Sequence, residues 1–151
     1  MTALFEHSPW VEARAEARPS SGDRHTDLMA VVHAASVEEQ LALIRAHPEL
    51  AGKAAIDRTL TEASAAEQAS AGLDRLNEEE FGRFHALNAA YRERFDFPFI
   101  ICVRLTDKAG ILAAMQARLA NDRETEIAAA LAQIGEIVRL RLNDLGLEDA
   151  R

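Results

Sequence analysis

The sequence predicts an all-α protein, a single-domain multi-helix bundle with one buried extended segment at 97–103. Three observations carry this. Capping signals open most segments, and apolar residues recur between them at three- and four-residue spacing. Only FPFIICV, residues 97 to 103, has β-like composition. A chain of 151 residues, 48% hydrophobic, can bury one core and is too short for two domains of ordinary size, so residues 1–151 are expected to form one domain.

Ser8 followed by Pro9 reads as an N-cap with proline at the first helical position. Trp10, Ala13 and Ala17 then fall on one face, and Pro19 ends the run. After the polar turn Ser20-Ser21-Gly22-Asp23, the residues Leu28, Val31, Val32 and Ala35 recur at helical spacing. Ser36 and Glu39 make a capping box for a third helix, with Val37, Leu41 and Ile44 toward the core and Pro48 as the stop. From Glu49 to Ala63 the pattern is irregular and reads as a short helical turn and a loop. Ser64 with Glu67 has the form of another capping box, opening a helix that Gly72 interrupts or ends.

Asn77 with Glu80 starts a long helix lined by Phe84, Leu87, Tyr91 and Phe95, its end marked by Asp96 and Pro98. The 97–103 stretch is apolar, partly β-branched and without helical period. A lone strand has nothing to pair with in a helical protein, so it is expected to lie extended and buried, its backbone groups bonded to other partners or to a ligand. Asp107 to Leu119 reads as helix despite Gly110. Asn121 with Glu124 caps a last helix striped by Ile127, Leu131, Ile134, Val138 and Leu142, which Gly146 is placed to end.

Composition narrows the function classes. Asp and Glu number 25 against 17 Lys and Arg, an excess that repels phosphate backbones and anionic membranes, and no basic cluster reverses it locally. Neither nucleic acid nor membrane is an expected partner. Cys102 is the only cysteine, which rules out an internal disulfide and a cysteine-based zinc site, and its neighbours Ile101 and Val103 point to a buried thiol. No signal-peptide pattern opens the chain, and no apolar run approaches the roughly 20 residues that span a bilayer. A cytoplasmic protein is expected.

Among the histidines, His7, His25, His33 and His85 need no function. His47, in RAHPELAGK, stands where a helical pattern stops against Pro48. Either it is a helix-end residue favoured by the dipole, or its ring projects into a cleft with Pro48 setting the backbone direction. Glu67 is explained by the capping box, yet a helix N-terminus also suits an anionic ligand. Arg141 and Arg139 sit on different faces of the last helix, and one of them is expected to be solvated. A surface ion pair with Glu136 or Asp144 accounts for Arg141, whereas an inward Arg141 would need a carboxylate. Phosphate loops, serine elbows, HExxH pairs and EF-hand loops are absent from the sequence.

Six motifs taken in order give a sharper expectation: FEHSPWV (5–11), AHPELAGK (46–53), SAAEQASAGL (64–73), YRERFDFPFIICV (91–103), RLAN (118–121) and IVRLRL (137–142). Together they resemble the 2-oxo-4-hydroxy-4-carboxy-5-ureidoimidazoline (OHCU) decarboxylases of urate degradation, over nearly the whole chain. The resemblance implies an all-helical fold, cofactor-free and metal-free decarboxylation to (S)-allantoin, and a homodimer. It assigns catalysis to His47, Glu67 and Arg141. Substrate contacts fall to Pro48, to Ser64, Ala65, Ala66, Glu67 and Gln68, and to the extended Phe99, Ile100, Ile101, Cys102 and Val103. The chain departs from the family in two places. Only four residues precede the first motif, where the family usually has a further helix, and Asp96 stands where glycine is usual. If that position needs φ > 0, aspartate suits it less well than glycine. An inactive helical binding module of the same fold and a decarboxylase of a related ureido or imidazolone acid are the alternative readings.

Overall fold

The computed structural model describes residues 4–5, 7–50 and 60–145. Within them lie α1 (Trp10–Glu16), α2 (Arg24–Ala34), α3 (Val37–Arg45), α4 (Glu62–Ser70), α5 (Glu78–Phe95), α6 (Lys108–Arg118) and α7 (Arg123–Leu145), with a 3-10 turn at Val103–Leu105. No strand occurs among the described residues, as expected. The loop expected at 51–59 and the stop expected at Gly146 lie outside them.

The long α7 organises the bundle by packing against α2 and α3, while α1 lies on α2, α6 on α5, and α4 on the 3-10 turn. Its buried stripe, Ala130, Leu131, Ile134, Val138 and Leu142, meets Leu28, Val32, Leu43 and Ile44 in one core cluster. Gly135 permits a close approach to α2. A Cβ there would stand 3.1 Å from the Met29 methyl, and its carbonyl accepts a bond from the His25 ring at 2.9 Å.

Caps set most helix starts. The boxes at Ser36/Glu39 and Asn77/Glu80 form in both directions, and Asp23 and Asp107 cap α2 and α6. Three starts differ from the sequence pattern. α1 begins after Pro9 with no side-chain cap, so its register turns Val11 and Ala15 inward and leaves Ala13 and Ala17 exposed. α7 is capped by Asp122, which accepts from the Thr125 N–H, while the Asn121 amide reaches the buried Glu126. Above all, Ser64 and Glu67 do not form a capping box. Thr61 is the cap, accepting from the Ser64 N–H, and this places Ser64 and Glu67 inside α4 with both side chains available for long-range contacts. Val37, expected in the core, is 56% exposed because it is the first residue of α3, beyond the point where the helix meets its neighbours.

The 98–102 stretch is non-helical and, apart from the half-buried Ile101, buried as expected, but Val103 already belongs to the 3-10 turn. Side chains supply its backbone partners: Arg118 Nη1 donates to the Ile100 carbonyl at 2.7 Å, and the Cys102 N–H donates to Gln133 Oε1 at 2.8 Å. Phe97 and Phe99 pack edge-on to Tyr91, and the Arg118 guanidinium lies 4.4 Å above the Phe99 ring. The fully buried Glu126 gathers this region by accepting from the Tyr91 hydroxyl, Arg118 Nε and the Asn121 amide. Burial, reinforced by that bond, pushes the Tyr91 phenol up, so it remains a donor. Glu126→Ala is expected to destabilise the fold by about 3–5 kcal/mol, since it strands a buried guanidinium and hydroxyl. Glu126→Gln keeps acceptor capacity and is expected to cost less. Urea denaturation of the two variants checks this, and equal small losses would show the network to be dispensable.

Candidate active site

α3 ends at Arg45, and the next turn delivers His47 with its N–H bonded to the Ile44 carbonyl at 3.1 Å. The residue is 7% exposed, and its ring Nδ1 lies 3.0 Å from the Leu43 carbonyl. A carbonyl only accepts, so Nδ1 carries the proton and Nε2 is the nitrogen whose protonation state can change. Beyond Pro48 the chain is tied down residue by residue. The Gln68 amide points at the Glu49 carbonyl (3.5 Å), Arg92 pairs with the Glu49 carboxylate, and Asn88 Nδ2 donates to the Leu50 carbonyl at 2.8 Å.

Arg141 turns inward from α7 and is 2% exposed. Its Nε donates to Glu67 Oε2 at 2.8 Å and its Nη2 to Oε1 at 2.7 Å, a bidentate pair, and Nη2 also reaches the Ser64 hydroxyl at 3.3 Å. The surface ion pairs that could have explained Arg141 are taken by others: Glu136 binds Arg139 and Asp144 binds Arg104. Arg139 is thus the solvated arginine of the two. Glu67 in turn has its charge compensated by Arg141.

These groups converge on a cleft with about 450 Å³ of space free of protein atoms, its open mouth included. His47, Pro48, Ser64, Glu67, Gln68 and Arg141 line it together with the 99–103 stretch. Two expected contacts do not reach it. Ala65 is exposed on the opposite face of α4, and Ala66 lines a neighbouring cavity instead, because consecutive residues of a helix cannot all face one way. Leu50, Arg104 and Ile137 also line the cleft. Leu50 lies within AHPELAGK and Ile137 opens IVRLRL, but neither apolar side chain carries a chemical signal; Arg104 stands outside the motifs, directly after the extended segment. Burial pushes the Cys102 thiol up, so it lines the wall as an uncharged group. Among the described residues no cluster of three or more His, Cys, Asp or Glu is placed to hold a metal ion.

Asp96 does occupy a left-handed position, φ 63° and ψ 33°, at the end of α5. Arg45 braces it, with Nε donating to the Asp96 carbonyl and Nη2 to its carboxylate, both at 3.0 Å. The brace joins the end of α3, two residues before His47, to the start of the extended wall. Aspartate therefore takes the turn that glycine would take, and its carboxylate adds one exposed bond to Arg45.

A helical bundle that buries a histidine beside a carboxylate–arginine pair, in a cleft with a backbone wall, is an enzyme-type site for a small polar ligand. A family model described as OHCU decarboxylase matches residues 1–143. The chain is 43% identical over 143 residues to a 2-oxo-4-hydroxy-4-carboxy-5-ureidoimidazoline decarboxylase of Haloferax volcanii, covering 92% of this chain and 82% of that one. It is 42% identical over 146 residues to a uric acid degradation bifunctional protein of Bacillus subtilis, spanning 95% of this chain but only 29% of that longer protein. Among solved structures, an (S)-allantoin synthase superposes with a TM-score of 0.68 at 30% identity, over 94% of this chain and 46% of that one. An OHCU decarboxylase crystallised in the presence of (S)-allantoin shares the fold, with a TM-score of 0.72 at 19% identity over 94% of both chains. The chain belongs to the OHCU decarboxylase family.

Proposed function

We propose that this protein decarboxylates 2-oxo-4-hydroxy-4-carboxy-5-ureidoimidazoline to (S)-allantoin, the last step of urate degradation. The observation that carries the reading is the convergence of His47, Glu67 and Arg141 from three helical segments on one cleft, in a chain of this family.

Decarboxylation leaves an electron pair that needs a sink, and this substrate contains one. The carbon losing carbon dioxide bears a hydroxyl and adjoins a ring C=N. The electrons of the broken C–C bond move into that C=N, the ring nitrogen takes a proton, and an enol forms. Protonation at the ureido-bearing carbon and loss of the hydroxyl proton then give allantoin, with one proton consumed overall from the substrate anion. No cofactor is required for this electron flow.

The protein's tasks are to hold the carboxylate out of the ring plane, exclude water and protonate one face. His47 Nε2 is the proton donor, since an imidazole with an ordinary pKa of about 6.5 gives and takes protons near neutrality. Glu67 accepts from the substrate hydroxyl, using lone pairs beyond those directed to Arg141. Arg141 fixes Glu67 and supplies a buried positive charge facing the oxygens where negative charge develops. Backbone groups of 99–103 bind the ureido and ring amide edges. The chain works as one domain, in the cytoplasm and as a homodimer; the family resemblance supports the last of these.

The test generates the unstable substrate in situ from urate and follows the optical activity of the product. Unassisted decay gives racemic allantoin, so faster appearance of the (S) enantiomer is expected with the protein present. Failure to accelerate one enantiomer would sink this reading and leave the inactive module or the related acid.

A further inference from the structure

The proposed reaction takes a substrate with a full negative charge, and the charges in the cleft do not balance it in the simplest way. Besides the uncharged Cys102 thiol, four charged or titratable side chains line it: His47, Glu67, Arg104 and Arg141. Glu67 and Arg141 neutralise each other through two short bonds, and His47 changes charge during turnover. Asking Arg141 to take the carboxylate would break a buried pair and strand Glu67, which is costly. Arg104 is differently placed. It sits in the 3-10 turn directly after the extended wall, and it lines both the cleft and the neighbouring cavity that Ala66 and Asp144 also line. Asp144, three residues beyond Arg141 on α7, holds it through Nη1 at 2.7 Å and Nη2 at 3.1 Å.

We propose that Arg104 is the substrate-binding residue that receives the carboxylate of the substrate, exchanging Asp144 for it. This rests on the function proposed above. The exchange is easy because the Asp144 side chain is 57% exposed and that of Arg104 31%, and an ion pair so hydrated is held weakly. A guanidinium has five N–H donors, of which Asp144 takes two, so a second carboxylate can begin to bind before the first leaves. Until then Asp144 keeps the fork beside the cleft.

A weak, shared cation also suits the chemistry better than a buried one. The carboxylate loses its charge as carbon dioxide leaves, so a strong grip on it would stabilise the ground state and slow the reaction. Once the carboxylate is gone, the uncharged product has nothing to set against Asp144. Arg104 returns to its resting partner, and product release is favoured.

The experiment compares wild type, Arg104→Gln and Arg104→Lys by KM and kcat for (S)-allantoin formation and by the inhibition constant of (S)-allantoin, which lacks the carboxylate. Arg104→Gln is expected to raise KM by roughly 10- to 100-fold, the worth of a charged hydrogen bond, and to lower kcat far less. Inhibition by (S)-allantoin should stay within about twofold of wild type, because a neutral ligand does not use the charge. Arg104→Lys should recover part of the loss in KM. An unchanged KM in Arg104→Gln overturns the assignment. So does an equal weakening of substrate and (S)-allantoin, which would make Arg104 a wall residue. If wild type itself forms no excess of the (S) enantiomer, the reaction assignment has failed, which is a separate result.

Discussion

Replacing His47 with alanine is expected to lower kcat/KM by about 10²- to 10⁴-fold, the usual contribution of a positioned proton donor. Whatever allantoin still forms should be racemic, because the enol would then be protonated from solvent on either face. The fold should survive. The ring's bond from Nδ1 to the Leu43 carbonyl is worth about 0.5–1.5 kcal/mol, and Pro48 still ends the helix. Rate, product chirality and a urea melt on one preparation separate the cases. Near-normal rates with (S)-allantoin as product would remove His47 from the proton-donor role. Loss of chirality with near-normal rates would instead confine it to the protonation step.

The second large effect is expected at Arg141, with Arg139 as its control two residues away. Arg141→Ala should destabilise the protein by about 3–5 kcal/mol, because it strands the Glu67 carboxylate in a mostly buried setting. It should also cost at least roughly 100-fold in turnover, the scale for removing one preorganised electrostatic partner. Arg139 pairs with Glu136 in an i,i+3 arrangement with both side chains more than a third exposed, so Arg139→Ala should change stability by about 0–1 kcal/mol. Lysine at 141 is not a conservative choice, since a single ammonium cannot reproduce the two parallel bonds to Glu67. Equal losses in the Arg141 and Arg139 variants would contradict the distinction that the geometry draws between them.

Much of the fold is legible in local sequence because its causes are local. A serine or asparagine three residues ahead of a glutamate marks the starts of α3 and α5, and the period of apolar residues marks the stripe on α7. The same local rule fails at Ser64 and Glu67. Their spacing satisfies the capping-box pattern, but Thr61 takes the cap one turn earlier, and a pattern cannot tell which of two nearby hydroxyls does so. The failure matters for function, since a Glu67 committed to its own helix start could not hold Arg141. Asn121 and Asp122 repeat the ambiguity at α7, where the neighbour caps and Asn121 turns to Glu126. At α1 and at Val37 the error is one of facing, because a short helix or a first turn gives too few residues to define a buried side.

By itself, the sequence determined that this chain is helical, where most helices begin and end, that one apolar segment runs extended among them, and, through its ordered motifs, which family it resembles. Those properties depend on residues within a few positions of one another, or on motifs readable along the line. Only the tertiary structure decided that Arg141 rather than Arg139 is buried, that Glu67 is its partner across 74 positions, and that Arg104 and Asp144 meet beside the cleft from 40 positions apart. A lone arginine at helical spacing is compatible with water or with the core. Which it meets depends on what the packing of α4, α7 and the extended wall brings opposite it, and the cost of burying a charge without a counter-charge then selects the pairing.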